Sequence, residues 1–454
     1  LTILEDFPGI NVTKEVLLRS FISFLGLVVV FILTTFASAE DKINIVPNSA
    51  SDEPLITTDD KGNVYVLHYG NDKVIYIFKN NRLVSTLKKE GASGEFLWLG
   101  FPEGKPSIIW RPKFSATGAK YIYFQRAEDQ TINFGKEIVV NNDKEALKPI
   151  DVAWEDEKIF ISWVDERQQP TAIHMNYSTD GGKTFRKEDI NMTPGYSAVL
   201  SKMIIGDNGL FFFFLGKKKD EIGDKKSGVI YARTSADGLQ WSDIVPVAVL
   251  ENWTPSSMEP VMTPDGPVLF WVGFEGIWYA YPDQDGKWHA QVIEGTSDMH
   301  VNRAAIKKDK TNNIYIAASY EKNEQKKIKP SVFFFSSNDN CKTWSAPLRI
   351  NHNPYDNTSA RFPDMYVAED GTIVVVWEDH RFIRGNIYMN YSRDGGKTWL
   401  PEDINLDDNP GKNNDHYPFI VGNMDKVNVL IPRFKDDSLR GDLDLYLKEV
   451  KIGE

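Results

Sequence analysis

The phrase Ser178-Thr179-Asp180-Gly181-Gly182-Lys183-Thr184-Phe185 is written again, with two changes, as Ser392-Arg393-Asp394-Gly395-Gly396-Lys397-Thr398-Trp399. The agreement continues on both sides. Ile161-Ser162-Trp163-Val164-Asp165-Glu166-Arg167 precedes the first copy as Val375-Val376-Trp377-Glu378-Asp379-His380-Arg381 precedes the second, and Glu188-Asp189-Ile190-Asn191 follows as Glu402-Asp403-Ile404-Asn405 does. An internal repeat of this length has to be explained before any other feature. Weaker copies stand at Ser235-Ala236-Asp237-Gly238-Leu239-Gln240-Trp241, Asp283-Gln284-Asp285-Gly286-Lys287-Trp288 and Ser337-Asn338-Asp339-Asn340-Cys341-Lys342-Thr343-Trp344. The closing aromatics at 185, 241, 288, 344 and 399 recur at about 53 residues, near the spacing of four-stranded propeller repeats.

Each unit reads as four short strands, for example Asp364-Met365-Tyr366-Val367, then Thr372 to Trp377, Asn386 to Tyr391, and a short one around Ile404. Val, Ile, Tyr and Phe runs bounded by Gly, Asp, Asn and Pro carry that signal. No amphipathic helical stretch interrupts them. Carried backward, the period gives units at 55–87 and 96–140; carried forward, it gives a last unit with only three strands, near Phe419, Val427 and Leu443. Ile43-Asn44-Ile45-Val46 supplies its missing fourth, beside Leu443-Asp444-Leu445-Tyr446. The expected fold is therefore all-β, a β-propeller of eight four-stranded blades closed by an N-terminal strand. Seven blades, or six, follow if irregular early units are absorbed elsewhere.

Composition narrows the function. The 454 residues carry 52 Lys and Arg against 64 Asp and Glu, a net charge of −12 that repels phosphate backbones, so nucleic acid is not an expected partner. The single cysteine, Cys341, excludes an intramolecular disulfide and a cysteine metal cluster. Lys14 and Arg19 precede an apolar run from Phe21 to Leu33, and Ala37-Ser38-Ala39 follows, the three parts of a secretory signal in order. Thirteen apolar residues span about 20 Å as a helix, short of a hydrocarbon core of about 30 Å. The expectation is a cleaved signal over 1–39 and one propeller domain over 40–454, secreted or periplasmic, with no membrane anchor left.

The repeated phrase resembles the Asp box, or BNR repeat, of the sialidase-like propellers, and with its weaker copies the resemblance covers nearly all of 40–454. In that family the box is a turn between the third and fourth strands, far from the active site. Its residues here are Ser178, Asp180, Gly182 and Phe185; Ser235, Asp237 and Trp241; Ser337, Asp339 and Trp344; and Ser392, Asp394, Gly396 and Trp399. Turn chemistry explains each of them: an aspartate that accepts backbone N–H bonds, glycines that take positive φ, and an aromatic that packs into the blade.

In a propeller the second-to-third and fourth-to-first connections share one face, opposite the boxes. That face collects Arg111, Asp165, Arg167, Asp379, His380, Arg381, Arg384 and Arg433 after second strands, and Glu259, Arg303, Arg361, Asp415, His416 and Tyr417 at first strands. The resemblance implies, for an exo-sialidase, three arginines gripping a carboxylate, a tyrosine nucleophile helped by a glutamate, and an aspartic acid/base. Arg111, Glu259, Arg303, Arg361 and Tyr417 follow that order, with Tyr417 and Glu259 as the catalytic pair and Arg111, Arg303, Arg361 and Arg381 as carboxylate binders. The chain departs from the family's pattern in reading Trp110-Arg111-Pro112 at the first arginine, and in its blade count. Arg167 and Arg381 have a second explanation, because they recur at one repeat position beside Asp165 and Asp379: a blade-internal ion pair over Trp163 or Trp377.

No cofactor or metal is expected; calcium on the acidic stretch from Asp407 to Asp415 is an alternative without the spacing of a calcium loop. The expected function is an exported propeller that binds a glycan or protein on its funnel face. The alternative is an exo-sialidase or related glycoside hydrolase acting on terminal acidic sugars.

Overall fold

The computed structural model describes residues 41–42, 54–70, 72–89, 98–112, 120–128, 132–143, 145–221, 227–251, 255, 257–273, 275–297, 299–322, 329–353, 358–423, 426–435 and 443–452. The signal expected over 1–39 and the strand expected at Ile43–Val46 lie outside them. The described residues form eight four-stranded antiparallel sheets, spanning 55–88, 98–139, 146–191, 196–251, 257–292, 299–349, 360–405 and, for the eighth, 419–451 together with 41–42. These are blades 1 to 8 of a β-propeller. The eighth is completed from the other end of the chain: Asp41 lies opposite Leu447 and Lys42 opposite Tyr446.

In each blade the strands turn their buried positions toward the neighbouring blades. The buried side chains accordingly fall into eight clusters, and each straddles one blade junction. The one formed by Val64, Val66, Tyr76 and Phe78 of blade 1 with Leu430, Leu445 and Leu447 of blade 8 closes the ring. Burial of this kind is worth about 25 cal/mol per Å² of apolar surface, which lets a ring without disulfides hold itself shut.

The boxes lock blades together. Ser178 Oγ accepts the Gly182 N–H at 2.8 Å, and Asp180 accepts the Thr184 N–H at 2.9 Å. In blade 7, Asp394 accepts the Lys397 and Thr398 N–H groups at 3.0 and 2.9 Å and the Thr398 hydroxyl at 2.7 Å. Those bonds hold its carboxyl down at about 2. Gly182, Gly238 and Gly396 lie at positive φ against Phe124, Phe160 and Phe334 of the preceding blade, where a Cβ would overlap the ring. Cys341 takes the glycine position in blade 6 at φ 67° and gives its N–H to Ser337 Oγ at 3.0 Å. Of the closing aromatics, Phe185, Trp344 and Trp399 meet Phe124, Phe270 and Phe334 of the preceding blade, whereas Trp241 meets Phe212 of its own.

Asp394→Ala leaves two turn N–H groups without their acceptor and is expected to cost about 1–3 kcal/mol of stability by denaturant unfolding. Ligand binding on the far face should survive it. A selective loss of binding at unchanged stability would put function on the box side.

Candidate functional site

Blades 3 and 7 carry the repeated phrase, and Ala146 faces Asp165 as Ala360 faces Asp379; beyond that pair the inner strand of blade 3 holds one residue more, Asp151 facing Ser162 where Asp364 faces Val376. One blade therefore serves as a control for the other. Both hold the same clasp. Arg167 Nε and its terminal nitrogen donate to Asp165 at 2.8 Å each and reach Asp189 at 2.7 Å; Arg381 donates to Asp379 at 3.0 and 2.9 Å and reaches Asp403 at 2.6 Å. The tryptophan lies elsewhere than the sequence suggests: Trp163 and Trp377 donate their indole N–H to the aspartate at 2.8 and 3.2 Å, and the Arg381 guanidinium sits 3.8 Å over Tyr388. Arg381 thus spends its donors inside the blade.

Among the positions at which the twins differ, three lie together in blade 7. Where blade 3 has Leu147, Val164 and Glu166, blade 7 has Arg361, Glu378 and His380. Val164 is 4% exposed and Glu378 only 1%, so blade 7 buries a carboxylate where its twin buries a methyl-bearing side chain. A buried charge is costly unless paired and hydrogen-bonded. Glu378 is both. Its Oε1 lies 2.6 Å from His380 Nε2, its Oε2 lies 2.6 Å from His416 Nδ1, and the Tyr417 N–H donates to Oε2 at 3.3 Å. Burial works against the charge, but the hydrogen bonds from His380 and His416 outweigh it and hold the carboxyl below its ordinary value. The same bond to Glu378 raises His380, against its burial. His380 Nδ1 faces the Ile383 carbonyl at 3.2 Å. Both partners of the ring accept, an arrangement that favours its protonated form.

The backbone here is strained. Phe362, Ile383 and Tyr417 sit at φ 52°, 76° and 39°, in the left-handed region that bulky side chains avoid. Such positions cost about 1–3 kcal/mol each and cluster where function requires them. The rings of Phe362 and Tyr417 lie 4.3 Å apart, those of His416 and Tyr417 3.7 Å apart, and Phe434 flanks His416 at 5.5 Å. Arg361 precedes Phe362 and is the cross-strand neighbour of Glu378. Its Nε is buried without a hydrogen-bond partner, and it makes no ion pair among the described residues. His416 spends Nδ1 on Glu378, and its Nε2 has no partner among the described residues.

The other sequence-derived candidates lie apart from this cluster or are engaged. Glu259 sits on the inner strand Ser257–Thr263 of blade 5, 3.9 Å from Lys202, and shares with Arg303 and Asp364 a groove of about 180 Å³. Arg303 lies 5.7 Å over the Phe419 ring. Arg111 is buried at the end of the strand Ser107–Trp110 of blade 2. The carboxylate that accepts the Tyr417 backbone N–H is Glu378, whereas Glu259 faces Lys202. Asp407 and Asp415 both face Arg433, at 3.3 and 2.5 Å, and no group of three acidic, His or Cys side chains among the described residues is arranged to hold a metal. A wider groove of about 700 Å³ lies between the box turns of blades 6 and 7, but its aspartate, Asp394, is consumed by its own turn. Sequence reasoning put His380, His416, Arg361 and Tyr417 on the funnel face and passed over Glu378 and Phe362. The signal for Glu378 was present, as the exchange of a valine for a glutamate between two phrases that share their Trp, Asp and Arg.

No family model and no curated protein matches this sequence. Solved structures do. An ulvan lyase, a polysaccharide lyase, is 10% identical, with 89% of this chain and 97% of that one covered and a TM-score of 0.48. An α-L-arabinofuranosidase of Fusarium graminearum, solved with arabinobiose, is 12% identical over 79% of this chain and 93% of that one, with a TM-score of 0.41. A protein of unknown function from Dyadobacter fermentans is 11% identical over 90% and 100%, with a TM-score of 0.40. At these identities the likeness is one of fold alone.

Proposed function

We propose that this is an exported propeller that binds an acidic glycan on its funnel face, at the junction of blades 7 and 8. One observation carries the reading: Arg361, Glu378 and His380 replace Leu147, Val164 and Glu166 of the twin blade, at a cost in burial that packing alone does not require. Arg361 is a cationic spot with no ion pair among the described residues, on a protein whose net charge is −12. Such a spot selects an anion, and the free guanidinium edge fits a carboxylate or sulfate bidentately. The rings of Phe362 and Tyr417 offer apolar edges for the sugar itself.

Turnover of the bound glycan is the second reading, favoured by His416. A carboxylate on Nδ1 and an unpartnered Nε2 make an oriented general base, with the Tyr417 ring beside it. An exo-sialidase is one form of this reading, with the Tyr417 hydroxyl attacking the anomeric carbon as the bond to the leaving oxygen breaks, the tyrosine proton passing to His416, which Glu378 holds, and the leaving oxygen taking a proton from water. Proton abstraction next to a uronate carboxylate held by Arg361 is another.

Calorimetric titration of residues 40–454 with galacturonate, mannuronate and hyaluronan oligomers, beside their neutral counterparts, tests the binding reading. Saturable binding restricted to the acidic members is expected. Equal binding of neutral oligomers, or none at all, would overturn it. A fluorogenic sialoside, and the ultraviolet absorbance of an unsaturated uronide, report turnover in the same samples.

A further inference from the structure

The second-to-third hairpin of blade 7 ends in Phe382 and Ile383, and Ile383 is 91% exposed, the most exposed large apolar residue among those described. It is also at φ 76°. Hairpin tips that need positive φ ordinarily use Gly, Asn or Asp, because a β-branched side chain clashes with its own backbone there. The backbone geometry has a use: the Ile383 N–H donates to the His380 carbonyl at 3.1 Å, and the Ile383 carbonyl faces His380 Nδ1 at 3.2 Å. Any residue that accepts the left-handed conformation would supply those two bonds, and glycine or asparagine would do so without strain. The isoleucine side chain adds nothing to them. Phe382 beside it is 44% exposed. In blade 3 the aligned residues are Gln168 and Gln169. The apolar tip therefore occurs in the one twin that also carries Arg361, Glu378 and His380.

We infer that the Phe382–Ile383 tip is a second sugar subsite, and that the ligand is an acidic polysaccharide chain rather than a single terminal acidic sugar. The inference rests on the funnel-face reading above: the unit held at Arg361 fills the site beside His380, and the neighbouring unit lays its apolar C–H face on the tip of the same hairpin. The tip is continuous with the site through His380, whose backbone carbonyl and ring it holds from the other side. A terminal monosaccharide would not reach the exposed apolar side chains, whereas a chain running out over the hairpin would cover them.

Ile383→Asn and Ile383→Gly, each with the φ 76° geometry preserved, separate the side chain from its backbone role. Affinities for galacturonate, mannuronate and hyaluronan hexamers and for the corresponding monosaccharides are measured in both variants and in Phe382→Ser, alongside thermal melting and sedimentation. The expected result is an affinity for the preferred hexamer lowered about tenfold, an unchanged affinity for its monosaccharide, and a melting temperature that holds or rises as the strain is relieved. Opposite movement of stability and affinity is the signature, since a residue with a purely structural role cannot produce it. Hexamer and monosaccharide affinities that both stay at wild-type values would overturn the subsite while leaving the site at Arg361 intact. Binding of no acidic saccharide by the wild type would overturn the site and the subsite together. A wild-type dimer that the variants dissociate would assign the tip to a second copy of the chain and overturn the subsite as well.

Discussion

Replacing Arg361 by leucine, the residue its twin blade carries as Leu147, should lower affinity for an acidic oligosaccharide roughly 10- to 150-fold and leave the melting temperature equal to or above that of the wild type. The first half follows from chemistry. A charge-assisted hydrogen bond contributes about 1.5–3 kcal/mol, and a guanidinium that reaches an anion with two N–H groups stands at the upper end. The second half follows from the free protein, in which Arg361 has a buried Nε with no acceptor and forms no ion pair among the described residues. Removing an unsatisfied buried donor removes its desolvation penalty. Blade 3 shows that leucine fits this position of the fold. Arg381→Leu is the contrasting variant: it strands Asp379 and Asp403, both buried in the clasp, and should cost about 3–5 kcal/mol of stability whatever ligand is present. Affinity lost in proportion to stability in the Arg361 variant, measured by titration and thermal melting together, would reduce that arginine to a structural part.

Glu378→Gln should remove both the charge that orients His416 and a distinct component of the pH dependence of stability. Glu378 titrates below its ordinary value of 4.5, so its contribution is complete above that pH and is lost as pH falls through the lower folded value. His380 titrates above its ordinary value of 6.5, so its contribution is complete below that pH and is lost as pH rises through the higher folded value. Together they give a stabilising increment that is greatest between about 4.5 and 6.5 and declines on both sides. Denaturant unfolding of wild type and Glu378→Gln across pH 3 to 9 isolates it as the difference between the two curves. The variant is expected to lose about 1.5–3 kcal/mol within that window, because the hydrogen bonds from the partly exposed His380 and His416 lose the carboxylate charge that strengthens them. A difference flat in pH would mean that the bonds from His380 and His416 to Glu378 do not carry charge.

Blade number, strand order and ring closure were legible because a repeat makes every unit a copy of the same solution. The Asp180 and Asp394 phrases mark one turn per blade, and dividing the chain by their spacing counted the blades even where the phrase had decayed. Closure by the N-terminus followed from an incomplete last unit, and the pairing of Asp41 and Lys42 with Leu447 and Tyr446 places the first described strand there. The candidate site was half legible. Connection order alone put His380, Arg361, His416 and Tyr417 on one expected face. Their grouping was not legible, since a pair such as Tyr417 and Glu259 satisfies a linear order of roles equally well.

What the sequence determined by itself is the set of contacts that repeat: turns, strand alternation, the Asp–Arg clasps and the seams between blades. These interactions are local, or join neighbouring blades, so their residues recur at a fixed spacing and can be read from one chain. Only the tertiary structure decided that Glu378 accepts the Tyr417 backbone N–H whereas Glu259 faces Lys202, that Arg381 is spent while Arg361 is not, and that Phe362, Ile383 and Tyr417 carry backbone strain together. Those facts depend on how a bulged inner strand, a hairpin and a connection between two blades meet at one point. The repeat does not specify that meeting, because the site is where blade 7 departs from it.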